Sequence, residues 1–103
     1  MSIVKRLPRE KIAEAKMLLM SVNLEDKLEE VLSIIEKAYG EKPWLLSGRT
    51  AAGLLSGLIY LIARQNGARL TQREIAQALI TTELTVRNSC RIWKKFGIVE
   101  ERS

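Results

Sequence analysis

Between residues 50 and 65 the chain has almost no polar side. Leu54, Leu55, Leu58, Ile59, Leu61 and Ile62 occupy most directions around a helical axis, and Ala51, Ala52, Gly53, Ser56 and Gly57 fill the gaps with small side chains. A helix that is apolar nearly all round has to be enclosed. Lipid is not the enclosure, because the stretch is too short to span a bilayer and too rich in Gly and Ser. Enclosure by protein must then use most of a 103-residue chain, which has little core to spare. Glycine inside a helix costs roughly 0.5–1 kcal/mol relative to Ala. Close approach of neighbouring backbones is the expected compensation.

The flanking segments supply the enclosing faces. Residues 8–22 read as a helix with Pro8 in its first turn and Ile12, Ala15, Leu19 and Val22 on one face, Leu18 beside them. Arg9, Glu10, Lys11, Glu14 and Lys16 fall mostly outside that face. Asn23 ends this helix or caps the next. Residues 24–39 repeat the pattern with Leu28, Val31, Leu32, Ile35 and Ala38, after the acidic Glu25, Asp26, Glu29 and Glu30, which suit a helix start. Gly40 is the expected stop. Residues 40–49 read as a loop fixed by Pro43, with Trp44, Leu45 and Leu46 pinning it to the core. Asn66 and Gly67 break the central helix. With no strand-forming run and no long repeat, the expectation is an all-α protein. It has an arm over residues 1–7 and a single five-helix domain over residues 8–103.

Residues 71–97 carry the chemistry. Thr71 and Glu74 fit a capping box, and Ile75, Ala76 and Leu79 follow on an inward face. Thr82 is a second N-cap, Glu83 suits the first turn behind it, and Gly97 ends the last helix behind Lys94 and Lys95. With Leu84 set at zero, Asn88, Arg91 and Lys95 lie within about 40° and Arg87 within about 60°. Val86, Cys90 and Trp93 face the other way. An outer face that is cationic and free of carboxylates is unlike an ordinary solvated face, which mixes signs. This is the pattern of a DNA-reading helix-turn-helix. Its weak point is Ile80, where such a turn often carries Gly and where a β-branched residue in a left-handed conformation is costly.

Charge agrees with that reading. The net charge is +5, and it is unevenly placed: nine basic and eight acidic residues precede Arg64, whereas eight basic and four acidic residues follow from Arg64 on. A basic segment points to a polyanionic partner. Arg matches the two major-groove acceptors of guanine, Asn pairs with adenine, and an apolar side chain meets the thymine methyl. Leu84, Arg87 and Asn88 are therefore the candidate base readers. Arg91, Lys94, Lys95, Gln72 and Arg73 are the candidate phosphate contacts. The sequence has no His and one cysteine, Cys90. That excludes an internal disulfide and leaves no metal site of the usual transition-metal kind. No catalytic pairing and no phosphate-binding Gly loop is present, so no enzyme activity and no cofactor are expected. Without a signal peptide or a membrane span, the expected location is intracellular, with the nucleoid.

Three pieces of the sequence match a family. Gly48-Arg49-Thr50-Ala51 with the small, apolar helix through Ile59-Tyr60-Leu61, then Thr71-Gln72-Arg73-Glu74-Ile75-Ala76, then Glu83-Leu84-Thr85-Val86-Arg87-Asn88 occur in order and at matching spacing. Together they resemble the second cyclin-like repeat of general transcription factor B, the archaeal and eukaryotic initiation factor. The resemblance implies a cyclin-like fold and promoter DNA as partner, with Leu84 and Arg87 on the B recognition element and Arg49 and Thr50 on phosphate. It also implies TATA-binding protein as a further partner, although the family's contacts to it come largely from a repeat for which this chain has no room. The family's zinc ribbon has no counterpart here, and Cys90 stands where the family usually has an aromatic. Both a repeat cut from a longer factor and a stand-alone chain pairing as a homodimer fit.

Two other readings compete. Residues 95–100, which read as a helix end with Ile98 and Val99 as a short tail, also resemble the exit of a recognition helix into the first wing strand of a winged-helix regulator. Alternatively, the domain is a cyclin-like protein-binding adaptor without DNA affinity.

Overall fold

The computed structural model describes residues 6–98, the Leu45 side chain excepted. The elements are α1 (Arg9–Met20), a 3-10 turn (Glu25–Lys27), α2 (Leu28–Glu41), the short α3 (Pro43–Leu46), α4 (Ala51–Gln65), α5 (Gln72–Leu79) and α6 (Glu83–Lys95). Among the described residues there is no strand. The all-α expectation holds, with five main helices and one short one.

α4 is the axis of the molecule. Eleven of its residues are buried, in an unbroken run from Ala52 to Ile59 and again from Leu61 to Ala63. α6 packs on it most extensively, and α1, α2 and α5 also touch it. Burying a Leu or Ile side chain is worth about 1.5–3 kcal/mol, so Leu55, Leu58, Ile59, Leu61 and Ile62, all at zero exposure, make this helix the main source of cohesion. Thr50 starts it: its hydroxyl accepts from the Gly53 N–H at 3.0 Å.

Four helices end in the same way. The chain turns through a left-handed residue, and the following N–H reaches back five residues: Leu24 to Leu19 O (2.8 Å), Ala68 to Ala63 O (2.9 Å), Thr81 to Ala76 O (2.8 Å) and Ile98 to Trp93 O (3.1 Å). The left-handed residues are Asn23, Gly67, Ile80 and Gly97. Glycine takes that conformation freely and Asn tolerates it. Ile80, at φ 56° and ψ 58°, does not, and its strained geometry is the one feared from the sequence. Asn23 ends α1 and does not cap α2.

Two sequence expectations are corrected. α2 does not stop at Gly40 but runs on to Glu41. The stop is Lys42, because a residue before proline is pushed out of the helical region; its φ and ψ are −140° and 65°. Trp44 does not anchor the 40–49 segment, being 67% exposed. Pro43–Leu46 forms a turn of helix that carries Leu46 inward, 4% exposed, and leaves Trp44, two residues earlier, on the other side. Of the arm, Leu7 is buried and residues 1–5 lie outside the described residues, as do Val99 and the wing segment that follows it.

Candidate nucleic-acid interface

α5 and α6 are joined by three residues, 80–82, and each is started by a threonine. Thr71 Oγ1 accepts from the Glu74 N–H while Glu74 Oε1 accepts from the Thr71 N–H, both at 3.0 Å. The Thr71 backbone N–H, and after it the Thr71 hydroxyl, hold the Glu74 carboxyl below its ordinary pKa. Thr82 Oγ1 accepts from the Thr85 N–H at 3.1 Å and donates to the Thr85 hydroxyl at 2.9 Å.

The inner face of α6 is keyed to α4 by more than apolar contact. Val86, Cys90 and Trp93 are buried as the periodicity predicted, and Ser89 and Ile92 join them. The Trp93 indole N–H donates to Leu54 O at 2.9 Å. Ser89 Oγ accepts from the Gly57 N–H at 3.2 Å and donates to Leu54 O at 3.5 Å. Cys90 Sγ lies 3.7 Å from Gly57 O as a weak donor. The approach depends on Gly57: a Cβ there would sit 2.5 Å from Ser89 Cβ and 2.6 Å from the Cys90 nitrogen. The small-residue stretch in α4 announced a close neighbour. Sequence reasoning missed that Ser89 was its counterpart.

The outer face is laid out as the wheel implied. Leu84 is 61% exposed, and Arg87, Arg91, Lys94 and Lys95 are exposed, with Asn88 half-buried. On α5, Arg73 is exposed and Gln72 half-buried. Arg49 and Thr50, more than thirty residues earlier, are brought to the same site. With Gly48 they form one wall of a groove of about 280 Å³ whose other wall is Thr81, Thr85 and Ser89. The fold thus assembles all ten candidate residues around the start and outer face of α6.

The turn ahead of α6 has a support that the sequence did not reveal. Lys11 of α1 donates through Nζ to Leu79 O, the last carbonyl of α5, at 2.8 Å, and pairs with Glu14 Oε1 at 3.0 Å. A cation at a helix C-terminus meets the negative end of the dipole. Lys11, assigned outside the apolar face, works through its ammonium at the rim of the core.

These features define an all-helical domain whose last helix turns a cationic face outward from a fixed seat. The family model described as the transcription factor TFIIB repeat matches residues 9–96, and the chain belongs to that family. Its curated relatives include transcription initiation factor IIB of Pyrococcus abyssi, 40% identical over 68 residues, 65% of this chain and 22% of that one. The Sulfurisphaera tokodaii factor is 44% identical over 61 residues, 59% and 19% of the two chains, and the Aeropyrum pernix factor is 38% identical over 73 residues, 70% and 22%. The chain spans about a fifth of the length of these relatives. No solved structure matches it significantly. The resemblance to factor B read from the three motifs is borne out. Among the described residues, no helix is long and apolar enough to cross a membrane.

Proposed function

We propose that the chain is a promoter-binding transcription factor or regulator that uses α5 and α6 as a helix-turn-helix. The observation that carries this is the outer face of α6, cationic and headed by an exposed Leu84, on a helix that Trp93 and Ser89 fix to the core. In the major groove, Leu84 and Arg87 read bases and Asn88 adds a contact, while Arg49, Thr50, Gln72, Arg73, Arg91, Lys94 and Lys95 meet the backbone. The kinship with initiation factor IIB makes an element beside a TATA-like run the expected target, and TATA-binding protein or a second copy of the chain the expected protein partners. No catalytic step and no cofactor enters this reading, and the working location is on the chromosome.

Selection of bound duplexes from a random pool, repeated at two salt concentrations, tests it. A purine-rich element is recovered at both, and affinity falls steeply with salt as counterions are released. Arg87→Ala then loses about 1–3 kcal/mol of discrimination at one position. Unchanged affinity in that variant would remove Arg87 as a reader. A protein-binding adaptor is the competing reading, favoured by the outward Met17 and Trp44, 70% and 67% exposed; it gives no enrichment and no salt dependence.

A further inference from the structure

A second cleft opens beside the start of α6. It encloses about 480 Å³, and three arginines from three successive segments share it: Arg64 near the end of α4, Arg69 in the α4–α5 connection and Arg73 at the start of α5. Tyr60 forms part of its wall, with the Arg64 guanidinium 5.5 Å from the ring centroid. That stacking directs a long, mobile side chain along the wall. Glu83 is the carboxylate among the described lining residues. It is the first residue of α6, so the cleft runs up to the reader helix.

Its position relative to the first groove is informative. That groove, with Arg49 and Thr50 on its wall, meets α6 at Thr85 and Ser89. This one meets α6 at Glu83. At 100° per residue Glu83 and Thr85 leave the helix about 100° to either side of Leu84. The base-reading face therefore has a basic recess on each side. A helix in the major groove lies between two sugar–phosphate backbones set about 12 Å apart, and it meets one on each flank.

We infer that the Arg64–Arg69–Arg73 cleft holds the backbone of one DNA strand while the Arg49–Thr50 groove holds the other, so that the domain straddles the major groove it reads. The inference rests on the DNA-binding reading and adds to it Arg64 and Arg69 as contacts, and an assignment of each recess to a strand. The arginines carry no base information in this arrangement. They set how deeply and at what tilt α6 enters.

The test uses the full chain and the duplex recovered from the selection. Arg64→Gln, Arg69→Gln and the double variant are compared with the parent and with Arg69→Lys, after thermal melting has shown each to be folded. Each lost phosphate contact makes the slope of log affinity against log salt shallower by about 0.9. The double variant should then lose about 1.8 of slope, so that the affinity drop between about 50 and 200 mM salt shrinks by about tenfold. Preference for the selected duplex over a scrambled one stays as in the parent, and Arg69→Lys keeps the parental slope. Ethylating single phosphates should weaken the parent at positions on both strands. In the double variant sensitive positions are lost from one strand, and in Arg49→Gln from the other. An unchanged slope in the double variant, or loss of sensitivity on the same strand for both sets, overturns the inference while leaving Arg87-dependent reading intact. If the parent shows no salt-dependent affinity for any duplex, the DNA-binding reading falls and this one with it.

Discussion

Gly57→Ala puts the α4–α6 seam to the test. In an isolated helix the change would stabilise by about 1 kcal/mol, since Ala is the better helix former. Here the new Cβ meets Ser89 Cβ at 2.5 Å and the Cys90 nitrogen at 2.6 Å. The second is backbone and cannot rotate away, so the two helices must part by roughly 1 Å. Overpacking of this kind costs about 1–3 kcal/mol. The Gly57 N–H to Ser89 hydrogen bond is also strained, and its loss removes about 1 kcal/mol. Against the propensity gain the net is about 1–3 kcal/mol of destabilisation, a fall in melting temperature of about 5–15 °C for a domain of this size. Urea and thermal unfolding followed by circular dichroism measure it. Gly40→Ala is the control: Gly40 is also inside a helix, and nothing lies within 4 Å of its added Cβ, so that variant gains about 0.5–1 kcal/mol. Adding Ser89→Gly to Gly57→Ala removes part of the clash, and the pair loses less than the sum of its members, a coupling of about 1 kcal/mol. A Gly57→Ala protein as stable as the parent would refute the claim that this seam is closed to a single methyl group.

Three further outcomes are expected. Lys11→Met removes the ammonium from Leu79 O and leaves Glu14 Oε1, itself shut off from solvent, without its partner. It destabilises by about 1–2 kcal/mol, and hydrogen exchange measured residue by residue should quicken first at the Thr81 amide, which closes the α5 turn. Ile80→Gly relieves about 1–2 kcal/mol of left-handed strain at a site that is 74% exposed, and loses about 0.5–1 kcal/mol to glycine's freedom in the unfolded chain; it should melt no lower than the parent. Glu74 contributes through a carboxyl whose folded-state pKa is lowered. Its contribution is present above the ordinary carboxylate value and is lost as pH falls through the lower folded value. Glu74→Gln should therefore differ most from the parent near neutral pH and converge with it in acid; a constant difference across that range would remove the charge from the explanation.

What was legible in the sequence was what depends on period and on short-range chemistry. The apolar run of α4 and the inward Val86, Cys90 and Trp93 follow from spacing. The Thr71–Glu74 box follows from a three-residue pattern whose bonds are local. What was hidden depends on who meets whom across the chain. Trp44 was assigned inward for its size, yet its direction was set by the single helical turn that carries Leu46 to the core. Ser89 looked like an ordinary polar residue until Gly57, thirty-two positions away, required something small with a donor and an acceptor. Lys11 reaches a carbonyl sixty-eight positions away. Arg64 and Arg69, scattered before the predicted reader, become one recess only when α4 hands over to α5. Gly40 was taken for a stop because glycine often is, but Pro43 made that decision through the residue before it.

Four polar stitches between α6 and α4 end on backbone atoms of Leu54 and Gly57, and these four start from the inner stripe. Sliding α6 by one residue would strand every one of them, so the helix has a single register on its seat. The outward positions take no part in that registration. Leu84, Arg87 and Arg91 are therefore exchangeable parts. Substitutions there should stay within about 0.5 kcal/mol of the parent's stability, and a library at these three sites could be sorted for new duplex preferences without first being sorted for folding.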